Sequence, residues 1–218
     1  MGNSDNDTTN QGNTTQQSHL WKGDFGNDYV QRNAPDKEFI QARTKLWAKI
    51  LDRIKGDLPK SIIEIGSNAG GNLLAIDKLI NVDFFAIEPN DKARESLINS
   101  GIIDAKNVRN NLATKIDFPD GVADLAFTSV VLIHIHPDQL LQALNEIYRL
   151  SSKYIVCIEY FNDKPVTIEY RGENDALFKR DFGSYWMDNF PDLKLIDYGF
   201  AWKRATAIDN MTWWIFKK

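Results

Sequence analysis

The chain has 218 residues, 43% hydrophobic and 26% charged, the proportions of one ordinary globular domain. Lys and Arg total 26 against 30 Asp and Glu, a formal charge of −4, which argues against a nucleic-acid coat or polybasic membrane attachment. The single cysteine, Cys157, excludes an intramolecular disulfide framework and a multi-cysteine zinc site, and no apolar run approaches the roughly 20 residues that cross a bilayer.

Residues 1–18 are dominated by Asn, Asp, Thr, Gln, Ser and Gly and read as a disordered polar tail. A single domain is expected over 19–218, beginning with a lid segment at about 19–35 that carries Trp21, Phe25, Tyr29 and Arg32. No N-terminal apolar core resembles a secretion signal, so a cytoplasmic location is expected. From Asp36 the pattern turns helical: Leu46, Trp47, Ile50, Leu51 and Ile54 form one apolar stripe, stopped by Gly56 and Pro59. Ser61–Ile65 reads as a buried parallel strand, and Leu73, Leu74, Ile76, Leu79 and Ile80 as a helix. A second strand is expected over Val82–Ile87, then a polar helix from about Asn90, a weak third strand near Ala105–Arg109 and a fourth over Ala123–Phe127. Pro137 opens a helix bearing Leu140, Leu141, Leu144, Ile147 and Tyr148, and Tyr154–Glu159 is a fifth strand. Leu193–Phe200 and Met211–Phe216 are two strands whose polar connection leaves no room for a helix, so they should pair antiparallel. The expected fold is α/β: a Rossmann-like, seven-stranded, mostly parallel sheet with helices on both faces and a C-terminal antiparallel hairpin.

The segment Glu64-Ile65-Gly66-Ser67-Asn68-Ala69-Gly70-Gly71 follows a strand and opens a helix, a turn that lets a ligand approach the backbone. A dinucleotide fingerprint needs glycine at the third position, where Asn68 stands; a side chain there crowds a pyrophosphate, and Glu64 repels it. Glu64 instead attracts an ammonium group, so the loop favours S-adenosylmethionine. Glu88, at the end of the second strand, can accept from both hydroxyls of a ribose. Thr128 ends the fourth strand, where the reactive end of a ligand should lie.

On these motifs the chain resembles the class I S-adenosylmethionine-dependent methyltransferases, and more closely the pseudaminic acid biosynthesis-associated methylases. The likeness runs through Trp21–Asn33, the glycine loop, Val131–Ile135, Glu159–Asn162, Tyr170–Gly172, Leu177–Phe182 and Pro191–Phe200. It implies cofactor contacts near Gly66 and Glu88, and only weakly a sugar-like acceptor. Asn111 departs from the pattern, standing where many such enzymes carry an acid beside the adenine; an amide still hydrogen-bonds the adenine edge.

Cofactor contacts are therefore expected from Tyr29, Arg32, Glu64, Gly66, Asn68, Gly70, Glu88, Asn111 and Thr128. A hydroxyl acceptor needs a base, for which His134 is the first candidate, His136 the second and Tyr160 the third. Arg171, Lys179 and Arg180, with Tyr170 beside them, form a cationic cluster between the fifth and sixth strands, with a helix from about Asp175 carrying the last two cations; it suits an anionic acceptor, since an arginine fork binds carboxylate or phosphate bidentately. No metal is expected: His134 and His136 lack a third ligand. The expected reaction is methyl transfer to an oxygen or nitrogen of a small polar, anionic, sugar-like molecule, with neither nucleic acid nor membrane as partner. The alternatives are a non-catalytic S-adenosylmethionine-binding protein or partner subunit, and a nicotinamide-dependent oxidoreductase.

Overall fold

The computed structural model describes Gly23, Gly26, Asn27, Val30 and residues 35–170 and 173–218. The expected tail, the lid residues Trp21, Phe25, Tyr29 and Arg32, and Arg171 of the cationic cluster lie outside the described residues.

Helix α1 (Lys37–Asp52) starts where Asp36 accepts from the Phe39 N–H at 2.7 Å. It buries Ala42, Leu46, Trp47, Ile50 and Leu51 along the expected stripe. Strands β1 (Ser61–Ile65) and β2 (Asp83–Ile87) flank helix α2 (Gly71–Asp77), and helix α3 (Asp91–Asn99) follows, capped by Asn90. The weak third strand shrinks to β3 (Val108–Arg109), because Ala105–Asn107 wind into a 3-10 turn capped by Asp104. Strand β4 (Ala123–Ser129) leads into a 3-10 turn, Leu132–His134, and then helix α4 (Pro137–Leu150) and strand β5 (Ser151–Glu159).

The seven-stranded sheet has the order β3-β2-β1-β4-β5-β9-β8, where β8 is Lys194–Ala201 and β9 Met211–Lys217. The first five strands pair parallel; β9 pairs antiparallel with both β5 and β8. A core cluster lies on each face, one built with Leu46, Trp47, Leu73 and Leu97, the other with Leu140, Leu144, Ile147 and Trp186. The two adjacent tryptophans serve this packing: a Cβ on Gly199 would meet the Trp213 ring, and one on Gly183 the Trp214 ring. Cys157 is buried in β5, where desolvation pushes its thiol well above its ordinary range.

Two expectations fail in the last third of the chain. The segment expected to be helical from Asp175 is strand β7 (Glu173–Lys179), paired antiparallel with β6 (Val166–Tyr170) in a separate two-stranded sheet. The β-branched residues of β6 supply a partner that a local reading of the acidic stretch ignored. Helix α5 (Phe182–Asn189) begins only after Asp181, whose carboxylate accepts from the Ser184 N–H. The β8–β9 connection also holds a one-turn helix, α6 (Lys203–Thr206), ended by Ala207 with φ +59°.

Candidate functional site

At the carboxyl ends of β1, β2 and β4 the sheet opens into a cavity of about 410 Å³. Open α/β sheets bind ligands at this edge.

The glycine loop forms its floor. Gly66 has φ +75° and Gly70 φ +80°, a left-handed conformation that disfavours a side chain. A Cβ on Gly66 would meet Val131 Cγ2 at 2.5 Å, so this glycine lets the β1 and β4 loops approach each other as well as a ligand approach the backbone. A Cβ on Gly70 would strike Leu97. Asn68 adopts φ +47° and accepts its neighbour Ala69's N–H through its own side chain, which suits asparagine better than most residues.

Glu64 lines the cavity and is fully buried in it. Trp47 Nε1 donates to Asn72 Oδ1 at 3.3 Å, and Asn72 Nδ2 in turn donates to Glu64 Oε1 at 2.7 Å. Among the described residues Glu64 Oε2 has no hydrogen-bond partner. Desolvation pushes this carboxyl up to about 8, against the pull of the Asn72 amide and of the Arg43 charge. A buried acid on a cavity wall with an oxygen left unbonded is a seat for a cationic donor.

Glu88 also lines the cavity, but not with two open oxygens: Oε2 accepts from the Asn68 N–H at 2.7 Å and Oε1 from the Asn90 N–H at 2.8 Å. It ties the glycine loop to the start of α3, and a ribose would use the second lone pair of each oxygen. Burial raises Glu88 to about 6, against those two N–H donors. Asn111 is on the cavity wall, its Oδ1 accepting from the Asp117 N–H at 3.0 Å. Thr128 is not on the wall. It is buried beneath it and hydrogen-bonds Glu159, while the next residue, Ser129, faces the cavity.

Of the three base candidates, His134 and Tyr160 line the cavity and His136 does not. His136 is the N-cap of α4, accepting from the Asp138 N–H through Nδ1, with its ring edge-on to Phe178 at 5.5 Å. His134 is buried and turned to the cavity. Tyr160 donates its hydroxyl to Asp209 Oδ2 at 3.1 Å. Lys179 and Arg180 do not line the cavity: Lys179 sits over the Tyr160 ring at 5.0 Å and Arg180 over the Tyr185 ring at 4.8 Å. Tyr170 ends β6.

Sequence reasoning missed the far wall. Arg43 of α1 lines the cavity, donates to Ser129 Oγ at 3.2 Å and acts on both Glu64 and Asp209. Its signal was a charge on the apolar stripe, one turn before Trp47. Lys203 and Asp209, from the β8–β9 connection, line the wall as an exposed ion pair at 2.8 Å. Gly26 and Val30 reach the same cavity from the expected lid segment, and Asn27 accepts from Asn90. Among the described residues no cluster could hold a metal ion, and no helix is long and apolar enough to cross a membrane.

Residues 63–154 match the family model of a methyltransferase domain. Comparison with curated proteins finds no match. Among solved structures the chain is similar to an S-adenosylmethionine-dependent methyltransferase of Leishmania major, with TM-score 0.70 and 12% identity over 94% of this chain and 87% of that one. A 1,6-didemethyltoxoflavin N1-methyltransferase of Burkholderia thailandensis, solved with S-adenosylhomocysteine, gives TM-score 0.68 and 12% identity over 92% and 88%. A plantazolicin methyltransferase gives 0.64 and 15% over 93% and 94%. At these identities the likeness is one of fold.

Proposed function

We infer that this chain, a methyltransferase of class I fold, binds S-adenosylmethionine and transfers its methyl group to an oxygen or nitrogen of a small, polar, anionic acceptor. The observation that carries the cofactor is Glu64, a buried acid on the cavity wall whose Oε2 has no hydrogen-bond partner among the described residues. That oxygen fits the ammonium of a methionine end, whereas a pyrophosphate would meet two buried acids, Glu64 and Glu88. Glu88 and Asn111 fit ribose and adenine. The bound cofactor supplies an electrophilic methyl on a sulfonium, so the chain's own task is alignment, exclusion of water and removal of a proton. His134 is the base of this reading: it is buried, on the cavity wall, and of the residue type that exchanges protons near neutral pH.

Beyond the cofactor end, the described lining residues include two cations, Arg43 and Lys203, and one acid, Asp209. That local excess of positive charge in a net acidic chain favours an anion. The resemblance of Tyr170–Gly172 and Leu177–Phe182 to the pseudaminic acid-associated methylases favours a sugar or sugar acid. Incubation with deuteromethyl S-adenosylmethionine and a metabolite extract, followed by mass spectrometry, should yield a labelled anionic product. Failure of the chain to bind S-adenosylhomocysteine in calorimetry would overturn the cofactor assignment, and a neutral labelled product would overturn the acceptor class.

A further inference from the structure

Glu159 closes β5 as the last residue of an otherwise apolar strand tip, fully buried and absent from the cavity wall. Its Oε1 accepts main-chain N–H groups from Val131 and Leu132, both at 3.1 Å, and its Oε2 accepts from Ile133 at 3.5 Å. The Thr128 hydroxyl adds a further hydrogen bond. Three successive backbone donors thus converge on one carboxylate carried by the neighbouring strand. A buried acid with no role of its own on the cavity wall is costly to keep, since an unionised or shorter side chain would avoid the desolvation. Helix capping does not account for it, because the turn it caps is a single 3-10 turn of three residues.

What that turn carries explains it. Val130, just before the bonded stretch, has φ +61°, a left-handed conformation that a β-branched residue adopts only where its surroundings hold it. Its N–H is bonded to the Ile158 carbonyl at 2.8 Å, so strand β5 grips it on both sides of the bend. Val131 then packs on Gly66, and His134 ends the turn facing the cavity. The loop between β4 and α4 therefore sets both the side of the glycine loop and the place of the base.

Building on the methyl-transfer reading, we propose that Glu159 is a positioning residue: its carboxylate holds the Val130–His134 loop in one bent conformation, which aims His134 at the reacting end of the cavity. The effect reaches the reaction only through that loop.

The chain has three histidines, His19, His134 and His136, so their ring carbon–proton resonances are few enough to assign by His134→Gln and His136→Gln. In Glu159→Gln one side of the group becomes an amide donor facing backbone donors. Its His134 resonance, recorded without ligand, should move by more than its line width or broaden, while the His19 resonance stays in place. Thr128→Val keeps the shape and removes one bond to Glu159, so it should move the same resonance less and in the same direction; it decides the matter if Glu159→Gln does not fold. At saturating deuteromethyl cofactor, label transfer to the extract should fall about 10–100-fold in Glu159→Gln, the size expected when a reacting group is displaced by about an ångström, with S-adenosylhomocysteine affinity kept within about threefold. A lowered melting temperature with an unmoved His134 resonance in both variants would show that Glu159 only stabilises the fold, and overturns the proposal. The spectrum needs no ligand, so it judges Glu159 even where wild-type binding of S-adenosylhomocysteine fails and the methyl-transfer reading falls.

Discussion

The two ends of the cavity differ in how the chain assembles them. At the glycine-loop end, Glu64, Gly66, Asn68 and Glu88 come from one continuous βαβ stretch, and Glu88 ties the loop to the next helix through the Asn68 and Asn90 N–H groups. At the β5 end, Arg43, Ser129, Tyr160, Lys203 and Asp209 come from four separate parts of the chain and meet only through the fold. The groups at the glycine-loop end are buried, with Glu64 and Glu88 both almost inaccessible. The groups at the β5 end are at the mouth, where Lys203 and Asp209 form a solvated pair. A rigid end suits a ligand that never changes, and a loosely built mouth can be altered for new acceptors without unfolding the core.

The comparison is broken most severely at Gly66. In Gly66→Val the new side chain meets Val131 and must hold a left-handed backbone, a strain of about 1–3 kcal/mol before any clash is counted. We expect S-adenosylhomocysteine binding to be lost in calorimetry and the melting temperature to drop. A variant that bound normally would mean that the β1 and β4 loops can separate freely.

Next in size are the two histidines. His134→Gln should lower label transfer about 100-fold, the usual range for a lost general base. His136→Gln should leave transfer near wild type and cost about 0.5–1 kcal/mol of stability, because it caps α4. Turnover within threefold of wild type in His134→Gln would remove it as the base and point to an amine acceptor.

These contrasts follow what the sequence made legible. The stripe Leu46–Ile50, the run Ile62–Ile65 and Pro137 are local patterns, and α1, β1 and α4 formed where those patterns lie. Glu64, Gly66 and Glu88 were legible because a glycine turn between strand and helix fixes its own geometry. The hairpin β6–β7 was not, since its conformation depends on a cross-strand partner rather than on its own periodicity. Asp209 was invisible for the same reason, and Arg43 showed only as a charge on the apolar stripe: neither has a motif, and each reaches the cavity only when α1 and the β8–β9 connection are brought to the sheet edge. Lys179 shows the converse, a cation in the right region that packs on the back of Tyr160.

Glu88→Ala sharpens the cofactor end. It removes two bonds to backbone N–H groups as well as any to the ribose, and charge-assisted bonds of this kind are worth about 1.5–3 kcal/mol each. S-adenosylhomocysteine affinity should fall about 30-fold or more by calorimetry. Faster amide exchange at Asn68 and Asn90 would confirm that part of the loss is the loosened loop. Unchanged affinity would remove Glu88 from the site.

Acidity separates the two ends further. Glu64 is raised to about 8 from 4.5, so between these values the folded chain keeps a proton that the unfolded chain has released. Stability should therefore fall as pH rises through that window, with Glu88, raised to about 6, and Glu159, raised to about 7, adding to the slope. An ammonium ligand needs Glu64 ionised, so affinity for S-adenosylhomocysteine should rise up to about tenfold per pH unit below 8, with proton release visible in buffers of different ionisation enthalpy. Glu64→Gln should flatten that slope. A slope that survives the substitution would mean that Glu64 does not meet the ammonium.

The smallest effects belong to the mouth, where two lysines can be set against each other. Lys203 lines the cavity and pairs with Asp209 in solvent; Lys179 is off the wall and stacks on Tyr160. Both substitutions should cost about 1 kcal/mol of stability, because an exposed ion pair and a half-buried cation–π contact are each weak. Their effects on the acceptor should differ. Lys203→Ala removes one of the two cations described on the wall and leaves Asp209 facing the acceptor, so the KM of an anionic acceptor should rise about tenfold with cofactor affinity unchanged. Lys179→Ala leaves the wall's own charges intact and should change KM by less than about threefold. Equal effects would mean that anion attraction comes from the field of the whole mouth. A larger effect in Lys179→Ala would return the acceptor contacts to the β6–β7 hairpin.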